Sequence, residues 1–212
     1  MRQSVTLVTA PQAEPVTLNE FKEYARLDGG NSEDATLTEL LVAARQEAEK
    51  YLNRALITQT WKLTLDLESS SADAYLGDGV FDLPITALYG ALPSAIDLPY
   101  APAQSITSVT TYDLNNTGTV YSAANYSIDT AGSRLVLNNG SIWPSNLRPV
   151  AAMVILYVTG YGAGAQVPAA IKLAIKKYAS SLYEERGVCE DSANSLNALH
   201  NSLFSYRRFG NG

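Results

Sequence analysis

Residues 37–67 read LTELLVAARQEAEKYLNRALITQTWKLTLDL, and the hydrophobic period changes inside this stretch. Over its first half, Leu37, Leu40, Leu41, Ala44, Ala48, Tyr51, Leu52 and Ala55 recur at three- and four-residue spacing, which is the apolar stripe of an amphipathic helix. From Ile57 the spacing falls to two. Ile57, Trp61, Leu63, Leu65 and Leu67 alternate with Thr58, Thr60, Lys62, Thr64 and Asp66, as in a strand with one buried face. Helices first, then a run of strands, predicts an α+β protein.

Toward the N-terminus, Thr17 and Glu20 have the spacing of a capping box, so a short helix is expected over Leu18–Leu27. Asp28, Gly29, Gly30 and Asn31 end it, and Ser32 or Asp34 is placed to cap the longer helix. Beyond the first strand come further strand-like runs at Ala95–Leu98, Ile106–Leu114, Val120–Ile128, Arg134–Leu137 and Val150–Val158. Asn115, Asn116, Thr117 and Gly118 form a hairpin signal, and Asn138, Asn139 and Gly140 a turn. Helical spacing returns after Pro168, a favoured first-turn residue, and runs to Arg186 before Gly187 with Ile171, Leu173, Ala174, Ile175, Tyr178 and Leu182 on one side. A last helix starts near Ser192. The expected organisation is an N-terminal helical part (1–62), an inserted antiparallel β module (63–165) and a C-terminal helical part (166–212), with the helices of both ends forming a small bundle.

Composition narrows the function. The chain has 212 residues, 46% of them hydrophobic, enough for a substantial core. Its one cysteine, Cys189, excludes an intramolecular disulfide and any multi-cysteine metal site. The longest apolar run, Val150–Val158, is far short of the roughly 20 residues of a membrane-spanning helix. Met1, Arg2, Gln3 and Ser4 lead into a broken Val/Thr pattern without the apolar core of a signal peptide, so cytoplasmic synthesis is expected. A net charge of −6 and a pI near 4.8 argue against a broad basic face for nucleic acid. The acidity is concentrated in residues 63–163, where eight carboxylates face two arginines.

Candidate chemistry is sparse. Gly160, Gly162 and Gly164 lie between a strand and a helix, but Ala165 stands where a dinucleotide loop needs its third glycine, and no Lys-Ser or Lys-Thr follows as in a P-loop. The bland reading is a flexible joint between strand and helix, since glycine tolerates the backbone angles it needs. His200 is the only histidine and has no second histidine or carboxylate pair to complete a zinc site. Glu190 and Asp191 beside Cys189 disfavour a thiolate, no serine occupies a Gly-x-Ser-x-Gly elbow, and the adjoining Glu184 and Glu185 diverge on their helix. Trp61 and Trp143 fit a β core better than a base-stacking platform. The pattern predicts no enzyme, no cofactor and no metal.

The order of elements resembles the head-to-tail connector (adaptor) family that follows the portal in long-tailed phages and gene transfer agents. The likeness rests on Pro15 to Lys22 (PVTLNEFK), on Leu37 to Leu52 with the closing Asn53 and Arg54, on Thr58 to Trp61 (TQTW), and on Gly160, Tyr161 and Gly162 ahead of Val167 and Pro168. The resemblance implies a virion protein that forms a dodecameric ring on the portal protein. It further implies a bridge to a tail-side stopper or tail terminator protein, with DNA passing through without specific binding and no membrane involved. An acidic module suits a DNA channel, because each phosphate neutralised by Lys or Arg adds salt-dependent affinity that slows passage. Asp73, Asp78 and Asp82 are the expected channel-lining residues; the alternative is that they only keep the surface soluble.

The residues after Gly187 carry no motif of that family. Leu196, Leu199, Leu203, Phe204, Tyr206, Arg207, Arg208 and Phe209 form an apolar and basic set that needs a covering partner. These eight are the expected portal-binding residues, on a tail from about Ser192 that docks on the portal; the alternative is that the helix folds back over the first helices of the same chain. A rival to the connector reading is a carbohydrate- or host-binding β module using Tyr112, Tyr121 and Tyr126 as stacking faces.

Overall fold

A computed structural model describes residues 2–27, 30, 32–67, 92–185 and 192–209. Its element order is β1 (Gln3–Thr9), α1 (Leu18–Ala25), α2 (Asp34–Leu52), β2 (Gln59–Leu65), β3 (Ala95–Asp97), β4 (Ala103–Tyr112), β5 (Gly118–Val120), β6 (Tyr126–Asp129), β7 (Arg134–Leu137), β8 (Met153–Thr159), α3 (Ala169–Glu184) and α4 (Ser192–Leu203). The class is α+β. The chain divides into two compact units.

The β unit comprises the described parts of Met1–Ala10, Thr60–Pro99 and Ala103–Val158. A five-stranded sheet runs β1-β2-β8-β4-β5, and a three-stranded sheet runs β3-β7-β6. The β1–β2, β4–β5, β3–β7 and β6–β7 pairs are antiparallel. Both sheets feed one core: Leu63 and Leu65 of β2, Met153, Ile155 and Tyr157 of β8 and Val109 of β4 pack with Ile96 and Leu135 of the smaller sheet. Strand β8 alternates buried and half-buried side chains along its whole length, the period-two pattern of a strand with one face on a core.

Three strand expectations change. Residues 3–9, within the part assigned to helices, form β1 and pair with β2, Val5 opposite Leu63. Val120–Ile128 is not one strand, because Ser122 caps a 3-10 turn over Ala123–Asn125 that separates β5 from β6. Ile57 belongs to the helical core and not to the sheet face that Leu63 and Leu65 occupy. The Asn115–Gly118 hairpin forms as expected. Asn116 takes the left-handed conformation (φ 62°), and the Asp113 carboxylate accepts hydrogen bonds from the amides of Asn115 and Thr117. Opposite Tyr112, Gly118 leaves room for that ring, which a Cβ would meet at 2.9 Å.

The helical unit comprises the described parts of Pro11–Gln59, Tyr100–Pro102 and Thr159–Gly212. Thr17 and Glu20 close the capping box of α1, Thr17 Oγ1 accepting from the Glu20 amide at 3.2 Å and Glu20 from the Thr17 amide at 2.8 Å. This helix ends earlier than expected, at a left-handed Arg26. Asp34 does not cap α2 but is its first residue, after an N-cap at Glu33, and binds Lys22 at 2.5 Å. The predicted stripe is buried: Leu37, Leu41, Ala44, Ala48 and Leu52 pack with Phe21 of α1, Ile171 and Ile175 of α3, and Leu199 and Leu203 of α4.

Two charged residues share that buried side of α2. Arg45 and Glu49 pair at 2.5 Å, Glu14 adds a second carboxylate to Arg45 at 2.7 Å, and Glu49 accepts from the Leu56 amide and from Gln59. Burial raises the Glu49 carboxyl above its ordinary range, against the opposing pull of Arg45 and those hydrogen bonds. The network fixes the end of α2 onto the segment that leads into β2.

Candidate interaction surface

The segment after α3 is tied to the helical unit by its own residues. Leu199 and Leu203 are fully enclosed in the core, and Leu196 and Tyr206 pack against it. Backbone and side-chain bonds continue the attachment past the helix: Arg54 Nε donates to the Tyr206 carbonyl at 2.8 Å, and the Arg208 amide donates to the Leu52 carbonyl at 2.9 Å. His200 stacks on Tyr51 with ring centroids 3.9 Å apart and planes 9° from parallel, its Nε2 lying 3.7 Å from Glu47. Its role here is packing.

This arrangement splits the eight residues expected to meet the portal. Leu199 and Leu203 are withdrawn from any partner, because α2 and α3 of the same chain already cover them. Leu196 and Tyr206 are half-covered in the same way. Phe204 and Phe209 remain outward, 59% and 64% exposed, with their rings edge to face at 5.9 Å. Arg207 lies between them and the core, its guanidinium 5.3 Å from the Phe209 ring and 4.9 Å from Tyr51. Two exposed rings and the Arg207 guanidinium form an aromatic and basic patch just past α4, with Arg208 next to them in the chain. Sequence reasoning missed Tyr51 and Arg54 as its supports; nothing local marks them, since their partners lie about 150 positions along the chain.

Asp73, Asp78 and Asp82 lie outside the described residues. The glycine loop is settled by its bonds. The Gly160 amide donates to the Pro102 carbonyl and the Tyr161 amide to Leu56, so these donors are taken by the chain itself and not offered to a phosphate. Gly160 (φ 121°) lies so close to the Ile57 carbonyl that a Cβ has no room, so the joint is tightly packed here and not the flexible one expected. Among the described residues no group of three His, Cys, Asp or Glu side chains could hold a metal ion. No described helix is long and apolar enough to cross a membrane.

The tyrosines of the β unit are likewise committed. Tyr121 stands 4.9 Å from Trp143 and 6.3 Å from Tyr126, and its hydroxyl donates to the Ile142 carbonyl, while Trp143 donates to Pro93. Arg148 covers the Tyr112 ring at 4.2 Å.

The family of phage gp6-like head-tail connector proteins matches residues 15–135, more than half of the chain. The chain belongs to that head-tail connector family. Its function is therefore that of a structural connector. No curated protein matches the connector by sequence. Among solved structures, it resembles a chain of the neck of an empty GTA particle computed with C6 symmetry (TM-score 0.68, 23% identity, covering 99% of this chain and 98% of that one). It also resembles a chain of the virion of a native gene transfer agent particle (TM-score 0.67, 21% identity, 98% of each chain). A third is a chain of the neck of a native GTA particle computed with C12 symmetry (TM-score 0.65, 20% identity, 99% and 98%). At these identities the likeness establishes the fold, over nearly the full length of both chains.

Proposed function

We propose that the connector assembles as a ring in the neck of a tailed phage or phage-like particle, docked on the portal protein and bridging to a tail-side stopper or tail terminator protein. The observation that carries the docking is the patch of Phe204, Arg207, Arg208 and Phe209. A helix whose apolar side is buried in its own chain ends in two large exposed rings. Aromatic residues and arginine dominate the energetics of protein interfaces, and Arg207 and Arg208 supply charge-assisted bonds to acidic groups of a portal.

Support for the ring comes from the neck structures with six- and twelve-fold symmetry that share this fold. Each contact can be weak, because copies tethered side by side bind at high effective concentration. The acidic residues 73, 78 and 82 belong to the same reading as the lining of the DNA channel, and it assigns the chain no catalytic step. Sedimentation of the full chain with and without its portal tests the proposal. Portal-dependent co-sedimentation of a chain that is monomeric alone is expected; a stable ring without portal would show that assembly is not templated by it, and no association with the portal refutes the docking.

A further inference from the structure

Among the described residues the five-stranded sheet ends in β1 on one side and β5 on the other. An edge strand presents unpaired N–H and C=O groups, and proteins that keep such an edge solitary blunt it with charge, proline or a bulge. Strand β1, QSVTLVT, holds no charge and no proline, and its one irregularity comes at its end, between Leu7 and Thr9. The turn and strand from Asn115 to Val120, NNTGTV, are equally uncharged.

Antiparallel pairing alternates between residues bonded to the neighbouring strand and residues whose groups point away. The Asp66 amide donates to the Arg2 carbonyl, and the register that sets Gln3 opposite Leu65 sets Arg2 opposite Asp66. The bonded positions of β1 are thus Ser4 and Thr6, and the backbone groups of Gln3, Val5 and Leu7 face outward. On β5 the Tyr121 amide donates to Val109 and the Asp113 amide to Thr117, which makes Thr119 the bonded partner of Thr111 and turns Gly118 and Val120 outward. Exposed apolar side chains accompany both edges: Leu7 and Val8 at one, Leu114 and Val120 at the other.

We propose that the sheet continues from copy to copy, β1 of one chain pairing with β5 of the next. A second copy is the occupant that covers both edges at once. Pairing of β1 with β1 would be isologous, stop at a dimer and leave β5 open, whereas a β1-to-β5 contact is heterologous and closes into a ring when the rotation permits. The inference rests on the ring reading and adds its lateral contact, which is separate from the portal-facing patch.

Cysteine cross-linking tests it in rings assembled from the full chain on its portal. Two double variants, Ser4→Cys with Thr119→Cys and Ser4→Cys with Val120→Cys, each with Cys189→Ser, sample both faces of the continued sheet. Mild oxidation is expected to give a ladder of chain multiples from one of the two. Dimers from Ser4→Cys alone would overturn the proposal in favour of an isologous contact. Rings visible by electron microscopy without any cross-linked product would overturn it while leaving the ring intact, and absence of rings would remove both. Val120→Pro deletes an outward donor without taking a bond from β4, and is expected to abolish rings while the monomer keeps its circular dichroism spectrum; unchanged rings would contradict the pairing.

Discussion

Leu203 and Phe209 lie six positions apart, one wholly enclosed and the other 64% exposed, and substituting each by alanine separates folding from docking. Leu203→Ala removes a side chain packed in the core formed by α2, α3 and α4. Such truncations cost about 2–5 kcal/mol, the spread reflecting how far the cavity collapses. In a chain of this length that corresponds to a fall in Tm of roughly 4–20 °C. Phe209→Ala removes an exposed ring whose contacts are an edge-to-face pair with Phe204 and the Arg207 guanidinium, each worth roughly 0.5–1 kcal/mol at the surface. Thermal melts of both variants, with portal binding by sedimentation, provide the assay. The expected result is a large loss of Tm for Leu203→Ala, a Tm within a few degrees of wild type for Phe209→Ala, and loss of portal binding for Phe209→Ala. Full portal affinity in Phe209→Ala and in Phe204→Ala would refute the assignment of the patch. Deleting the whole segment is the weaker experiment, because it also strips Leu199 and Leu203 from the core.

Glu49→Gln reports on the buried network. Because burial raises the folded carboxyl, its contribution is full below the ordinary carboxylate range and is lost as pH rises through the raised value. The stability of wild type relative to Glu49→Gln is therefore expected to fall as pH rises above about 4.3, the ordinary glutamate value, measured by urea unfolding at several pH values; a difference that grows with pH would contradict the direction. Gly160→Ala is expected to destabilise by roughly 1–3 kcal/mol in the same assay, since its φ of 121° and the nearby Ile57 carbonyl both exclude a Cβ. Replacing Asp73, Asp78 and Asp82 by Lys is expected to slow DNA ejection and leave particle assembly intact; unchanged ejection kinetics would mean that the acidity serves solubility alone.

What the sequence made legible was local. The Thr17–Glu20 capping box, the α2 stripe and the Asn115–Gly118 turn are each specified within a few residues, and each forms. Strand β1 escaped because its seven residues are mostly exposed and gain their order from pairing with β2, more than fifty positions away. Val120–Ile128 looked continuous because its apolar content hides the Ser122 cap. The apolar period of α4 announced that Leu199 and Leu203 need a cover, but period alone does not say which surface supplies it. Tyr51, Leu52 and Arg54 hold the segment in place from the far end of the chain, and only the assembled fold separates the buried leucines from the exposed phenylalanines.

The central claim, a connector ring docked on the portal through its C-terminal patch, is tested most directly by electron microscopy of the full chain mixed with its portal. Closed rings on one face of the portal are expected, with density for Phe204 and Phe209 against portal residues and none of these rings in the Phe204→Ala, Phe209→Ala double variant. Rings that persist in that variant, or that meet the portal through another part of the chain, would contradict it.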